Sequence, residues 1–209
     1  MLQAEVRVLE DLTLQVSGTL APGLDLAGFR RQLASPLLRL DGLAFPPVDT
    51  LADGALRYDA TGTIEPDRAA GPLTLTAPAI DGVDAPPPGV TWAGLRRIGD
   101  DTVHLARGAD LVLRVATSGG GDAAARRQWR LTVAGDSAAT FLGGDGAPPD
   151  SIILPARYVP AGDTLAARLV WSVSARLEPP PGDYIVLLAG DTRVGWTVIV
   201  DDATGGAMR

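Results

Sequence analysis

From Leu165 to Leu177 the chain alternates almost without a break. Leu165, Ala167, Leu169, Trp171, Val173, Ala175 and Leu177 share one face, and Arg168, Ser172, Ser174 and Arg176 share the other. A period of two held for this length specifies a strand with one buried and one wet face. Such a strand needs neighbours, so the chain has to build sheets. Val194, Trp196, Val198 and Val200 repeat the pattern, and so do Trp129, Leu131 and Val133, with Gln128, Arg130 and Thr132 opposite. With 25 glycines and 17 prolines cutting the rest into short runs, the sequence reads as all-β.

From Thr102 onward, seven strands are predicted at 102–107, 110–117, 127–134, 138–142, 151–159, 164–177 and 184–190, with an eighth at 194–201. This reads as a Greek-key β-sandwich. Leu177-Glu-Pro-Pro-Pro-Gly-Asp-Tyr184 resembles the tyrosine corner of immunoglobulin-like and fibronectin-type sandwiches, where a Leu, a Pro/Gly turn and a Tyr mark the E–F turn. The resemblance implies an immunoglobulin-like architecture for the C-terminal part.

The N-terminal part reads as a smaller β-domain. Asp25 to Ser35 carries Leu26, Phe29 and Leu33 at helical spacing, with Asp25 as cap and Pro36 as stop, so one short helix is expected there. A weak repeat is also present: Leu12–Pro22 aligns on Leu56–Pro66, and Leu38–Asp49 aligns on Leu73–Asp84. As a duplication it implies two related hairpins covering each other's apolar faces. Ala85-Pro-Pro-Pro-Gly89 cannot join a ladder and separates a domain at 1–84 from one at 90–209.

Composition removes whole chemistries. There is no cysteine, no lysine and no asparagine, and His104 stands alone. Disulfides, thiolate metal sites, a cysteine nucleophile, a multi-histidine metal site, Schiff-base chemistry and a P-loop lysine are excluded. The missing residues have AT-rich codons, which points to a GC-rich bacterium or phage. A net charge of −7 disfavours nucleic acid and anionic membranes. No window supplies the ~18 apolar residues of a membrane span. The N-terminus shows no basic patch followed by an apolar run, so synthesis in the cytoplasm without a visible signal is expected.

Few residues suggest a site. His104 needs an orienting partner, for which Asp100 or Asp101 is near in sequence, but Gly-x-Ser-x-Gly is absent. Most aspartates sit beside glycine in turn contexts. Gly143-Gly144-Asp145-Gly146 with Asp150 lacks the pattern of a calcium loop, and Gly119–Gly121 lacks that of a phosphate cradle. Trp129, Trp171 and Trp196 fall on apolar strand faces. Trp92, followed by Arg96 and Arg97, can line an exposed groove, or else pack two domains together. The ligand-binding candidates are therefore Trp92, Arg96 and Arg97 after the proline linker and Asp145 and Asp150 in the 142–150 loop, with the long loops at 117–126 and 178–183 as further places for recognition.

The expectation is a non-enzymatic structural or attachment subunit of a larger particle, such as a phage-like virion, spike or injection apparatus. It would be a homo-oligomer with protein subunits as partners, a surface polysaccharide as a further contact, and no cofactor. The alternatives are a carbohydrate-binding module acting at Trp92 or the 142–150 loop, and a glycoside hydrolase built on paired carboxylates.

Overall fold

The computed structural model describes residues 1–21, 33–80, 86–118, 125–178 and 185–201, and they form an all-β, sandwich-like protein of several sheets. Its spine is a pair of long strands, β17 (Thr164–Leu177) and β18 (Val186–Asp201). They run antiparallel, with Thr164 facing Ile199 and Leu177 facing Val186. The long alternation in the sequence lands on β17. The two strands expected at 184–190 and 194–201 are one: Thr192 continues the inward row of Val186, Leu188 and Gly190 into Val194, Trp196 and Val198, so no turn intervenes.

Along the other edge of β17 lie β14 (Arg126–Ala134) and then β15 (Ala139–Asp145). The other edge of β18 is shared. β1 (Leu2–Val8) runs parallel to residues 186–192, and β12 (Thr102–Ala106) runs parallel to residues 197–201. Beyond β1 come β2 (Thr13–Leu20), β7 (Leu56–Thr63) and β6 (Asp49–Thr50), completing a nine-stranded sheet.

Two smaller sheets pack on this wall. One is β10 (Gly89–Trp92), β8 (Leu73–Thr76), β4 (Leu38–Leu40) and β5 (Leu43–Phe45). Its Leu38, Leu40, Leu73, Leu75, Val90 and Trp92 pack with Leu2, Val6, Leu14, Val16 and Tyr58 from the wall. The other is β11 (Gly94–Arg97), β13 (Leu111–Ser118) and β16 (Ser151–Leu154). Leu95, Leu111, Leu113, Ile152 and Leu154 meet Leu131, Leu165, Leu169, Trp171, Trp196 and Val198 there. Burying each such side chain contributes roughly 1.5–3 kcal/mol. A short pair, β3 (Leu33–Ser35) with β9 (Ala79–Ile80), lies apart.

The chain passes from one cover to the other at Ala93, between Trp92 in the first core and Leu95 in the second. The first core also takes in Ala125, Val173, Ala175, Val186 and Leu188 from far along the chain. The described helix is α1 (Pro66–Ala70), whose C-terminal end is packed so closely on Gly94 that a Cβ there would lie 2.4 Å from Ala70 backbone. Ser118 Oγ donates to the Ala70 carbonyl across the same junction.

Several expectations change. The last residues of the helix expected at 25–35 are the strand β3; the rest of that segment lies outside the described residues. The two copies are not separate hairpins stacked on one another, although residues 38–45 do fold back as the β4–β5 hairpin. Each copy gives a strand to the wall (β2, β7) and a strand to the cover (β4, β8), and the copies pair side by side, β2 with β7 and β4 with β8. Leu14 and Tyr58 therefore meet Leu40 and Leu75 across the core. The segment compared to a tyrosine corner connects β17 to β18, which pair directly in one sheet, whereas an E–F corner crosses between sheets. Tyr184 and Gly119–Gly121 lie outside the described residues. Finally, residues 142–145 belong to strand β15 and not to a loop.

Candidate functional site

The face of the wall turned away from both cores is polar, and the register fixes its rows. Asp145, Gln128, Ser172, Asp191 and Arg7 stand side by side across five strands. In the next row Arg130, Val170 and Arg193 follow Gly143, and in the one after that Thr132, Arg168 and Gly195 follow Phe141. Because residues two apart share a face, the alternation that builds the cores also lines up these arginines outside. The result is an arginine-rich strip on a chain whose net charge is −7.

A groove of about 510 Å³ runs over this strip, lined by Gln128, Arg130, Arg168, Ser172, Arg193 and Asp145 among others. A second, of about 530 Å³, adjoins it at Thr132 and Arg168 and includes Glu10, Arg97, Asp101 and Gly195. This second groove sits where the ladder along β18 is interrupted, between the end of β1 at Thr192 and the start of β12 at Thr197. Arg97 fills the gap by donating from Nη1 to the Gly195 carbonyl at 2.7 Å. Its Nε is buried without a hydrogen-bond partner in the described structure. Glu10 lies over Gly195, where a Cβ would stand 3.3 Å from its carboxyl carbon, and pairs with Arg168. The Arg130 side chain makes no ion pair or hydrogen bond among the described residues.

Asp191 is the unusual carboxyl. It is only 7% exposed, although it lies on the wet face. Arg193 donates to Oδ2 from Nε at 3.2 Å and from Nη2 at 2.9 Å. Oδ1 is buried with no hydrogen-bond partner in the described structure. Burial pushes its pKa up, against the lowering effect of the Arg193 hydrogen bond and charge; Glu5 adds to the rise and Arg7 opposes it.

The sequence candidates do not converge. Trp92 is 1% exposed, so the groove expected beside it does not exist. Its indole N–H donates to Thr192 Oγ1 at 3.1 Å, which is the part of a residue packing two units together. Arg96 is exposed on the outer side of the three-stranded sheet, opposite Ala116. Asp150 is exposed just before β16, and its carbonyl accepts the Val115 N–H at 3.0 Å. Of the five, Arg97 and Asp145 reach the adjoining grooves. His104 meets Asp201, at 3.0 Å from Nδ1, and not Asp100 or Asp101, because β12 lies directly alongside the end of β18. Among the described residues no three His, Asp or Glu side chains gather as a metal site.

Asp191, Arg193, Arg130 and Arg168 were not singled out from sequence as a site. Arg130 and Arg168 carry a signal, since both fall on wet faces of clear strands, but their adjacency depends on register. Asp191 and Arg193 fall between two expected strands.

β15, a margin of the wall that pairs only with β14 among the described residues, has its own character. Phe141 is 66% exposed on the outer face and Leu142 is 37% exposed on the inner one. No protein-family model matches the chain, and no curated protein matches its sequence.

Proposed function

We propose that the chain is a non-enzymatic structural or attachment subunit of a larger assembly, such as a virion-like particle, spike or injection apparatus, and that it works through protein–protein contacts. The observation that carries this reading is the margin at β15. Seven residues there, Ala-Thr-Phe-Leu-Gly-Gly-Asp, have no proline and no charge before Asp145, and they expose two large apolar side chains. Proteins that remain single usually blunt such an edge with charge, proline or a bulge. Among the described residues the margins of the other sheets and the far ends of the wall are blunter. β6 has two residues, β5 runs into Pro46-Pro47, β16 lies between Pro149 and Pro155, β10 follows Pro86–Pro88, β11 has four residues and carries Arg96 and Arg97, and β12 has five residues.

An immunoglobulin-like sandwich for the C-terminal part belongs to the same proposal. It is supported by the order β11-β13-β16 in one sheet against β18-β17-β14-β15 in the other, which corresponds to A-B-E against G-F-C-C′. Light scattering on the intact protein tests the assembly reading. A mass that is a defined multiple of 21.6 kDa is expected, and a single-chain mass at every concentration would overturn it.

A second reading is favoured by one feature. The groove over Arg130, Arg168 and Arg193, with Gln128 and Ser172 beside them, suits an acidic polysaccharide better than a neutral one. Glycan contact, if this reading holds, belongs to this face and not to Trp92. Retention on an immobilised acidic polysaccharide, lost with added salt, is the expected result; no retention at low salt would remove it.

A further inference from the structure

We infer that the occupant of the β15 margin is the same margin of a second copy of this chain, paired antiparallel about a two-fold axis through Leu142. This rests on the assembly reading above and gives it a partner and a register.

The ladder to β14 decides which groups are free. Gly146 N–H donates to the Arg127 carbonyl and Gly135 N–H to the Ala138 carbonyl, at either end of the ladder. In an antiparallel pair, hydrogen-bonded and non-bonded positions alternate. Thr140, Leu142 and Gly144 therefore turn their main-chain groups towards β14. Ala139, Phe141, Gly143 and Asp145 turn theirs outward. A second copy set with Leu142 opposite Leu142 matches Phe141 with Gly143 and Ala139 with Asp145. Every outward donor then meets an outward acceptor, giving about eight main-chain hydrogen bonds. Shifting the register by two residues loses a bonded pair.

The side chains fit the same register on both faces. On the inner face, Leu131 stands beside Leu142. Pairing extends this into a row of Leu131, Leu142 and their two symmetry mates, which covers the apolar surface of Leu142. On the outer face, each Phe141 ring lies over the bare backbone of the other copy's Gly143, a large side chain beside an empty position. Beyond that glycine stands Arg130, a cation without an ion-pair partner in the described structure, positioned to meet the ring face. Like charges stay apart, because the two Asp145 side chains fall at opposite ends of the seam, roughly 20 Å from each other. The contact is isologous, so it closes at two copies. A seam of this length is small for a specific interface, so association is expected to depend on concentration.

The absence of cysteine makes the test direct. The Leu142→Cys variant places two thiols at a non-hydrogen-bonded cross-strand pair, where Cα atoms approach to about 4.5 Å, within disulfide range. Incubated with a mild oxidant, it is expected to give a covalent dimer at least tenfold faster than Ile153→Cys on β16, although Ile153 is the more exposed position at 54% against 37% for Leu142. Phe141→Cys should link slowly, because residue 141 faces Gly143 and not itself. Adding Phe141→Pro to Leu142→Cys should abolish linking with the circular dichroism spectrum retained, since the N–H it removes points away from β14. Linking of Leu142→Cys no faster than Ile153→Cys overturns the inference, and faster linking of Phe141→Cys overturns the register. If linking fails while the wild-type protein still runs as a multiple of the chain mass, the margin is wrong and the assembly reading stands. If linking fails and the wild type is a single chain, both fall.

Discussion

Trp92 donates its indole N–H to Thr192 Oγ1 at 3.1 Å, joining the end of the cover strand β10 to the middle of β18, with both residues buried. Gly190, two residues before Thr192 on the same face, has no side chain because a Cβ there would stand 2.6 Å from the Trp92 ring. The indole is thus seated on bare backbone and tethered by one bond at the junction of the two cores.

Thr192→Val removes the acceptor and leaves a buried N–H unpaired. A loss of about 1–3 kcal/mol is expected. Trp92→Ala should lose about 3–5 kcal/mol, as large-to-small core changes do. Urea titrations check both, and a Trp92→Ala loss below about 1 kcal/mol would mean that the junction repacks.

The first core draws on Val173, Ala175, Val186 and Leu188, and β1 pairs with β18 along its whole length. The two cores are therefore expected to unfold in one calorimetric transition. Expressed alone, residues 1–86 should be unfolded or aggregated. Two separated transitions, or a soluble folded 1–86, would contradict this.

Asp191 sets a pH dependence whose sign follows from its raised pKa. Its folded form holds the proton more tightly than its unfolded form. Stability from this group is fully present below the unfolded-state value and is lost as pH rises from there through the folded-state value. Asp191→Asn keeps a neutral acceptor for Arg193 and removes the ionisation. The variant should gain on the wild type as pH rises from acid to neutral, with melting temperatures read across that range. Parallel curves would show that the carboxyl titrates normally.

Arg130→Glu reverses the unpaired charge in the groove and touches no described ion pair. On an immobilised acidic polysaccharide, binding is expected to weaken about tenfold, or about 1.4 kcal/mol, at low salt. Unchanged binding would place any such contact elsewhere.

Much of the fold is legible in the sequence wherever one face is buried and the other wet. β17 is predicted at its observed bounds, and Trp171 and Trp196 lie in the core where the alternation puts them. The misses have a common cause. Asp191-Thr192-Arg193 looks like a turn because two charges interrupt an apolar run, yet register carries the strand through and buries Asp191 beside Arg193. Trp92 follows prolines and looks like a boundary side chain on a groove, but its neighbour in space is Gly190, nearly a hundred positions away in the chain. The arginine strip is assembled by pairing among β14, β17 and β18, and no local pattern encodes which arginines become neighbours.

The central claim is that the β15 margin is covered in solution. Amide hydrogen exchange resolved at single residues tests it on the unmodified protein. Phe141 and Gly143, whose N–H groups point away from β14, should exchange slowly in concentrated solution and much faster on dilution, while Leu142 stays protected throughout. Fast exchange at Phe141 and Gly143 at every concentration would contradict the account.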